Sequence, residues 1–141
     1  NMLSQARRRI WIMADSINAS NLNDEQFHQS ILQLAKSNSQ AEIRILLDEA
    51  KASHSRFNPL INLAQRLTSF VEIRTLPSTA QKFSEWVTVV DFSAGIYRKT
   101  LDSYSGFATY DSKLIAQRLI TKFDNQWQFA KPAAEFRRLV I

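Results

Sequence analysis

The side chains that most often carry catalysis are scarce in this sequence of 141 residues. It contains no cysteine, and His28 and His54 are its only histidines. Without thiolates, and with two histidines far apart in the chain, no spacing typical of a zinc site or a cysteine nucleophile occurs. We expect surface or capping roles for both histidines, and we predict neither a metal ion nor a cofactor.

A group of acids and tyrosines forms the candidate ligand pocket. Asp15 and Asp48 each follow an apolar run, and adjacent parallel strands bring such ends together at the edge where α/β sheets bind ligands. Tyr104, Tyr110 and Asp111 add a polar and aromatic group that could bind a small molecule. Helix capping, packing and solvated loop ends are the alternative roles of these five residues.

The sequence 83–91 (Phe-Ser-Glu-Trp-Val-Thr-Val-Val-Asp) is the stretch around which the other elements are arranged. It is apolar and β-branched, and it ends in Asp91 and a small-residue turn, which predicts a buried strand that enters a hairpin. Ser84 has no Gly-x-Ser-x-Gly elbow, and a chain with two glycines cannot build a glycine-rich phosphate loop. We therefore identify no catalytic residue from these motifs.

Further apolar runs predict the rest of the sheet. Runs at 9–14, 43–48 and 70–76 alternate with helical patterns, as parallel strands do. The remaining strands are predicted at 86–90, 94–99 and 106–110. The fold class is therefore α/β, with a mixed sheet that is parallel in its first half, antiparallel in its second half and covered by helices.

Three helices are predicted from caps and apolar spacing. Asn23 is the expected N-cap of the first helix, with Gln26 three residues later; Pro59 starts the second, and Asp111 caps the third. The apolar stripes are Phe27, Ile31, Leu34 and Ala35 in the first helix, Leu60, Leu63, Ala64 and Leu67 in the second, and Ile115, Leu119, Phe123 and Trp127 in the third.

Composition limits the class of protein. With 45% apolar residues and a net charge of +5, the chain fits one domain over 1–141, with a core at about 7–130 and a tail at 131–141. We expect the tail, apolar at its end, to add an edge strand or to contact a partner. No apolar run is long enough for a membrane span and no signal peptide is evident, so we predict a cytoplasmic protein. Asn1 before Met2 suggests a cleaved tag, and the chain could be a fragment.

The order of these elements resembles one half of a phospholipase D-like domain over roughly residues 7–130. That family carries His-x-Lys-x4-Asp, in which the histidine attacks phosphorus, the lysine holds phosphate oxygens and the acid supports the array. With the acid registered on Asp91, Ser84 takes the histidine position and Trp86 the lysine position. A serine without a nearby base does not replace imidazole as nucleophile, and an indole carries no positive charge. The resemblance thus implies a degenerate site.

Degenerate halves of this kind are similar to an uncharacterised domain at the carboxyl end of some bacterial GNAT-type acetyltransferase proteins. The resemblance implies that any acetyl transfer belongs to another part of such a protein, since no turn here is suited to the pyrophosphate of acetyl-CoA.

Three functions follow as hypotheses. The first is a non-catalytic accessory or interaction module, the second a nucleic-acid or polyanion binding module, and the third an enzyme with a rebuilt site near Ser84, Asp91 and Tyr110. The resembled family also implies a homodimer through the face that carries the signature strand, where Trp86 would make the surface more apolar. Alternatively, Trp86 turns inward and leaves a monomer.

Overall fold

A computed structural model describes residues 2–14, 24–48, 59–76, 85–98 and 106–132, and its centre is a seven-stranded sheet. The strands are β1 (Arg9–Met13), β2 (Glu42–Asp48), β3 (Val71–Leu76), β4 (Trp86–Val90), β5 (Ala94–Arg98), β6 (Gly106–Thr109) and β7 (Lys131–Pro132). The helices are α1 (Glu25–Ser37), α2 (Pro59–Arg66) and α3 (Lys113–Trp127), and a short 3-10 helix spans Leu3–Gln5.

The strand order is β6-β5-β4-β1-β2-β3-β7. β1, β2 and β3 are parallel, whereas β4 is antiparallel to β1, and β5, β6 and β7 are antiparallel to the strands they pair with. The predicted mixed sheet is therefore confirmed. β7 pairs Lys131 and Pro132 with β3, while the predicted edge strand at 136–141 lies outside the described residues.

Two apolar layers cover the two faces of the sheet. Ile10 and Ile12 of β1 face a layer that includes α1 and α2, and Trp11 and Met13 face a layer built from α3. All five residues of β1 and of β4 are buried, because the centre of the sheet is covered on both sides. This burial explains why both strands are continuous apolar runs rather than alternating patterns.

Two helices begin one residue later than their predicted caps imply. The side chain of Asp24 accepts a hydrogen bond from the backbone N–H of Gln26, so Asp24 is the N-cap of α1, and the predicted cap Asn23 lies outside the described residues. The Ser112 hydroxyl accepts from Ile115 N–H at 3.2 Å and caps α3 in place of Asp111. An N-cap must reach the N–H two or three residues ahead, and Asp111 is one residue too early for this.

Both glycines of the chain lie in the outer strand pair, β5 and β6. A Cβ on Gly95 would lie 2.6 Å from Leu119 Cδ1 and 3.1 Å from the Thr88 carbonyl oxygen. A Cβ on Gly106 would collide with the carbonyl oxygen of Tyr97. Glycine at position 95 therefore allows α3 to pack closely on β5, and glycine at position 106 allows β6 to lie against β5.

Candidate functional site

Trp86, at the lysine position of the resembled signature, points into the core. Only 4% of this residue is exposed, and its indole Nε1 donates a hydrogen bond to Thr88 Oγ1 at 2.8 Å. A cavity of about 230 Å³ adjoins it, lined mainly by apolar side chains such as Ile12 and Phe27. A neutral ring whose N–H is already bonded has nothing with which to hold phosphate oxygens.

Asp91, at the acid position, is bound to the backbone at the start of β1. Its carboxylate accepts hydrogen bonds from the backbone N–H groups of Arg7 at 3.2 Å, Arg8 at 2.8 Å and Arg9 at 3.1 Å. Its carbonyl oxygen accepts from Arg9 Nε at 2.8 Å. The residue has φ 54°, in the left-handed region that aspartate tolerates better than most side chains. Asp91 thus fastens the β4–β5 turn to β1.

The chemistry available on β4 follows from these positions. Its sequence, Trp-Val-Thr-Val-Val, provides neither an imidazole nor an ammonium group. Ser84, at the histidine position, lies outside the described residues. Among the described residues, the signature strand therefore offers no group with the charge or basicity of the family's histidine and lysine.

The structure does not bring the described members of the predicted ligand pocket together. Asp48 is buried at the C-terminal end of β2. At this end of the sheet, Met13 of β1 stands opposite Leu46 of β2 and Val87 of β4. Tyr110 and Asp111 follow β6 at the opposite end of the sheet, where Ser112 N–H bonds to the Ser93 carbonyl oxygen. The other two members, Asp15 and Tyr104, lie outside the described residues.

His28 belongs to no metal site within the described residues. His28 lies on α1 and contacts Phe27, with ring centroids 5.8 Å apart at an edge-on angle. His54 lies outside the described residues. No group of three or more histidine, cysteine or acidic side chains within the described ranges could hold a metal ion, and no helix in those ranges is long and apolar enough to cross a bilayer.

An arginine–aromatic ladder crosses the α3 side of the sheet, and sequence reasoning missed it. Its members, in order, are Phe92, Arg9, Trp11, Arg44, Trp127 and Arg74. Each guanidinium carbon lies between 3.8 and 5.3 Å from the centroid of a neighbouring ring. The available signal was the tripeptide Glu-Ile-Arg, which occurs in β2 and again in β3.

Acids neutralise much of the ladder's charge. Arg44 pairs with Glu42 at 2.6 Å, and Arg74 pairs with Glu72 at 2.7 Å. Burial lowers the pKa of the Arg9 guanidinium, and the nearby carboxylates oppose that shift, so it stays protonated at neutral pH. Three arginines among these acids link neighbouring strands of the sheet.

A second feature that sequence reasoning missed is a groove between α3 and the outer strands, which we call the outer groove. It has a volume of about 360 Å³ and is lined by residues that include Tyr97, Phe107, Arg118 and Lys122. The two aromatic rings stack with centroids 5.4 Å apart, and Lys122 Nζ lies 5.5 Å from the Tyr97 centroid and 2.8 Å from Glu85 Oε2. Residues of β5, β6 and α3 together form this groove, so no local sequence motif predicted it.

This combination of sheet, helices and signature strand defines a phospholipase D-like fold. The structure is similar to a solved one described as the crystal structure of a phospholipase D family member, Nuc, from Salmonella typhimurium, with a TM-score of 0.65. The match covers 93% of this chain and 85% of that chain at 15% sequence identity, so the likeness establishes the fold alone.

A sequence profile described as "Domain of unknown function (DUF7931)" matches residues 1–139, and the chain belongs to that family. No curated protein matches the sequence. The structural similarity to Nuc confirms the resemblance to phospholipase D-like domains at the level of the fold.

Proposed function

We propose that this chain is a non-catalytic accessory or interaction module built on a degenerate phospholipase D-like fold. The observation that carries the proposal is the burial of Trp86 with its indole N–H bonded to Thr88. In the resembled family the same position supplies the charge that holds phosphate. Here that position contributes to the core and is shielded from any substrate.

The contacts of Asp91 support the same proposal. The backbone N–H groups of three consecutive residues bond to its carboxylate, which is therefore occupied rather than free to assist a nucleophile. These contacts give Asp91 a structural role, which is to hold the β4–β5 turn against the start of β1. A catalytic role is not needed to explain them.

The test is phosphodiester hydrolysis by the purified chain, with bis-para-nitrophenyl phosphate as substrate. We expect no turnover above the buffer rate, because the nucleophile and the phosphate anchor of the signature are replaced. Turnover that survives repeated purification and disappears in Ser84→Ala or Asp91→Ala would show instead an enzyme with a rebuilt site. A Ser93→Ala variant is the matched control for loss of a hydroxyl near the strand.

We also propose, from the family resemblance, that the module acts with a fused or partner GNAT-type acetyltransferase domain in the bacterial cytoplasm. Calorimetric titration with acetyl-CoA is expected to show no binding to this chain alone and binding to the acetyltransferase part. Binding of acetyl-CoA by the isolated chain would contradict this division of roles.

A further inference from the structure

The outer groove contains an aromatic platform at the edge of the sheet. Tyr97 of β5 and Phe107 of β6 stand opposite each other in register, and their rings are stacked with an interplanar angle of 27°. Phe107 is 46% exposed, and β6 is the last strand on its side of the described sheet. A large aromatic ring held in place by a stacked neighbour, yet half open to solvent, is suited to stacking with a planar ligand.

Positive charge borders the platform on the α3 side. Arg118 and Lys122 are four residues apart and therefore lie on the same side of α3. Within the described ranges no acid pairs with Arg118, whereas Glu85 pairs with Lys122. Arg118 is thus the cation with its hydrogen-bond donors available for an anion.

We propose that the outer groove binds single-stranded nucleic acid, with one base stacked on Phe107 and a phosphate beside Arg118. Exposed aromatic rings next to cationic side chains are the usual means by which proteins bind single strands without reading sequence. The groove volume of about 360 Å³ falls in the range of sites that hold a ligand of nucleotide size. This inference goes beyond the proposed function, and it concerns the α3 side of the sheet rather than the side that Trp86 faces.

The exposed Arg118, which pairs with no acid in the described ranges, favours this groove over the arginine–aromatic ladder. Glu42 and Glu72 lie beside the ladder guanidiniums and would repel a phosphate backbone. A duplex is a poorer occupant, because its base faces are stacked on one another and cannot reach Phe107. The chain's net charge of +5 adds a weak, non-specific attraction for either strand form.

Fluorescence anisotropy with a labelled oligothymidylate of about 12 nucleotides tests the proposal. We expect Phe107→Ala to weaken binding about tenfold and Phe107→Trp to retain it, since base stacking on one aromatic ring has roughly that effect. Phe129→Ala is the matched control, because Phe129 is 71% exposed and lies outside the groove.

The salt dependence tests the phosphate contact separately. Between about 50 and 200 mM salt, Arg118→Ala should reduce the slope of log K against log salt by about 0.7, as the loss of one phosphate contact to a single strand does. Lys36→Ala removes the same charge from an exposed position on α1 and should leave the slope unchanged.

Three results would overturn the proposal: no binding at about 100 μM protein, equal affinity for a duplex of the same length, or unchanged affinity in a folded Phe107→Ala variant. Circular dichroism of each variant establishes that it is folded. Gel analysis of the oligonucleotide after incubation distinguishes this proposal from the proposed non-catalytic function. Cleavage of the oligonucleotide would contradict the non-catalytic function but would not contradict binding in the outer groove.

Discussion

The indole of Trp86 is bonded to Thr88 inside the core, so any charged side chain at this position loses its hydration. We expect Trp86→Lys, which restores the residue type of the resembled signature, to lower the free energy of unfolding by about 3 kcal/mol or more. Trp86→Phe removes the N–H and should cost about 1 kcal/mol. Urea unfolding measures both, and a Lys variant as stable as the Phe variant would contradict the burial.

Asp91 combines a left-handed backbone with three amide contacts. We expect Asp91→Ala to lower the free energy of unfolding by about 2–3 kcal/mol, since alanine loses the hydrogen bonds and disfavours a positive φ. Asp91→Asn should cost less, because asparagine tolerates this conformation and keeps one acceptor oxygen. Asp111→Ala, at an exposed acid, is the control and should change stability by no more than about 0.5 kcal/mol.

Single-residue roles were only partly predictable from the sequence. The sequence left two positions open for Trp86, outward in a dimer interface or inward in the core. An apolar strand sequence does not determine which of its side chains would contact a partner. The capping residues of α1 and α3 were missed by one position, since Asn23, Asp24, Asp111 and Ser112 are all good caps and only the three-dimensional reach of the side chain decides between them.

At the scale of elements, the arginine–aromatic ladder joins three strands to the end of α3. Arg44 contacts both Trp11 and Trp127, with its guanidinium carbon 4.7 and 5.3 Å from the two ring centroids. We expect Arg44→Met to lower the free energy of unfolding by about 1–2 kcal/mol, because the charge is lost while much of the side-chain length remains. Thermal unfolding measures this effect.

Arg118→Met is the matched control for the ladder prediction, since Arg118 is exposed and pairs with no acid in the described ranges. It should alter stability by no more than about 0.5 kcal/mol. Equal effects of the two variants would show that the ladder contributes nothing beyond ordinary surface charge.

The elements themselves were largely predictable, because β1, β2 and β3 are apolar runs separated by helical spacing. The ladder and the outer groove were not, because each depends on which strands become neighbours and on side chains from different elements of the fold. The described members of the predicted pocket do not converge, because the direction of β6 places Tyr110 at the opposite end of the sheet from Asp48.

At the scale of the whole molecule, the homodimer stays a prediction. With Trp86 only 4% exposed, its indole has almost no surface to bury against a second copy. Light scattering across a dilution series decides between the two predicted states: because Trp86 is turned inward, a dimer would have to use another face, and Trp86→Phe should leave its mass unchanged. A mass of one chain at micromolar concentration would contradict the dimer. If the dimer forms, removal of Leu139, Val140 and Ile141, which lie outside the described residues, tests the tail as its interface.

The central position of β1 has a consequence for how the chain folds. One edge of β1 pairs with the nearby β2, but the other pairs with β4, where Ile10 stands opposite Val90 about 80 positions later. Closing so long a loop slows folding, and synthesis releases β1 well before β4. Until β4 arrives, the largely apolar β1 has an unpaired edge, and this is the interval in which aggregation competes with folding.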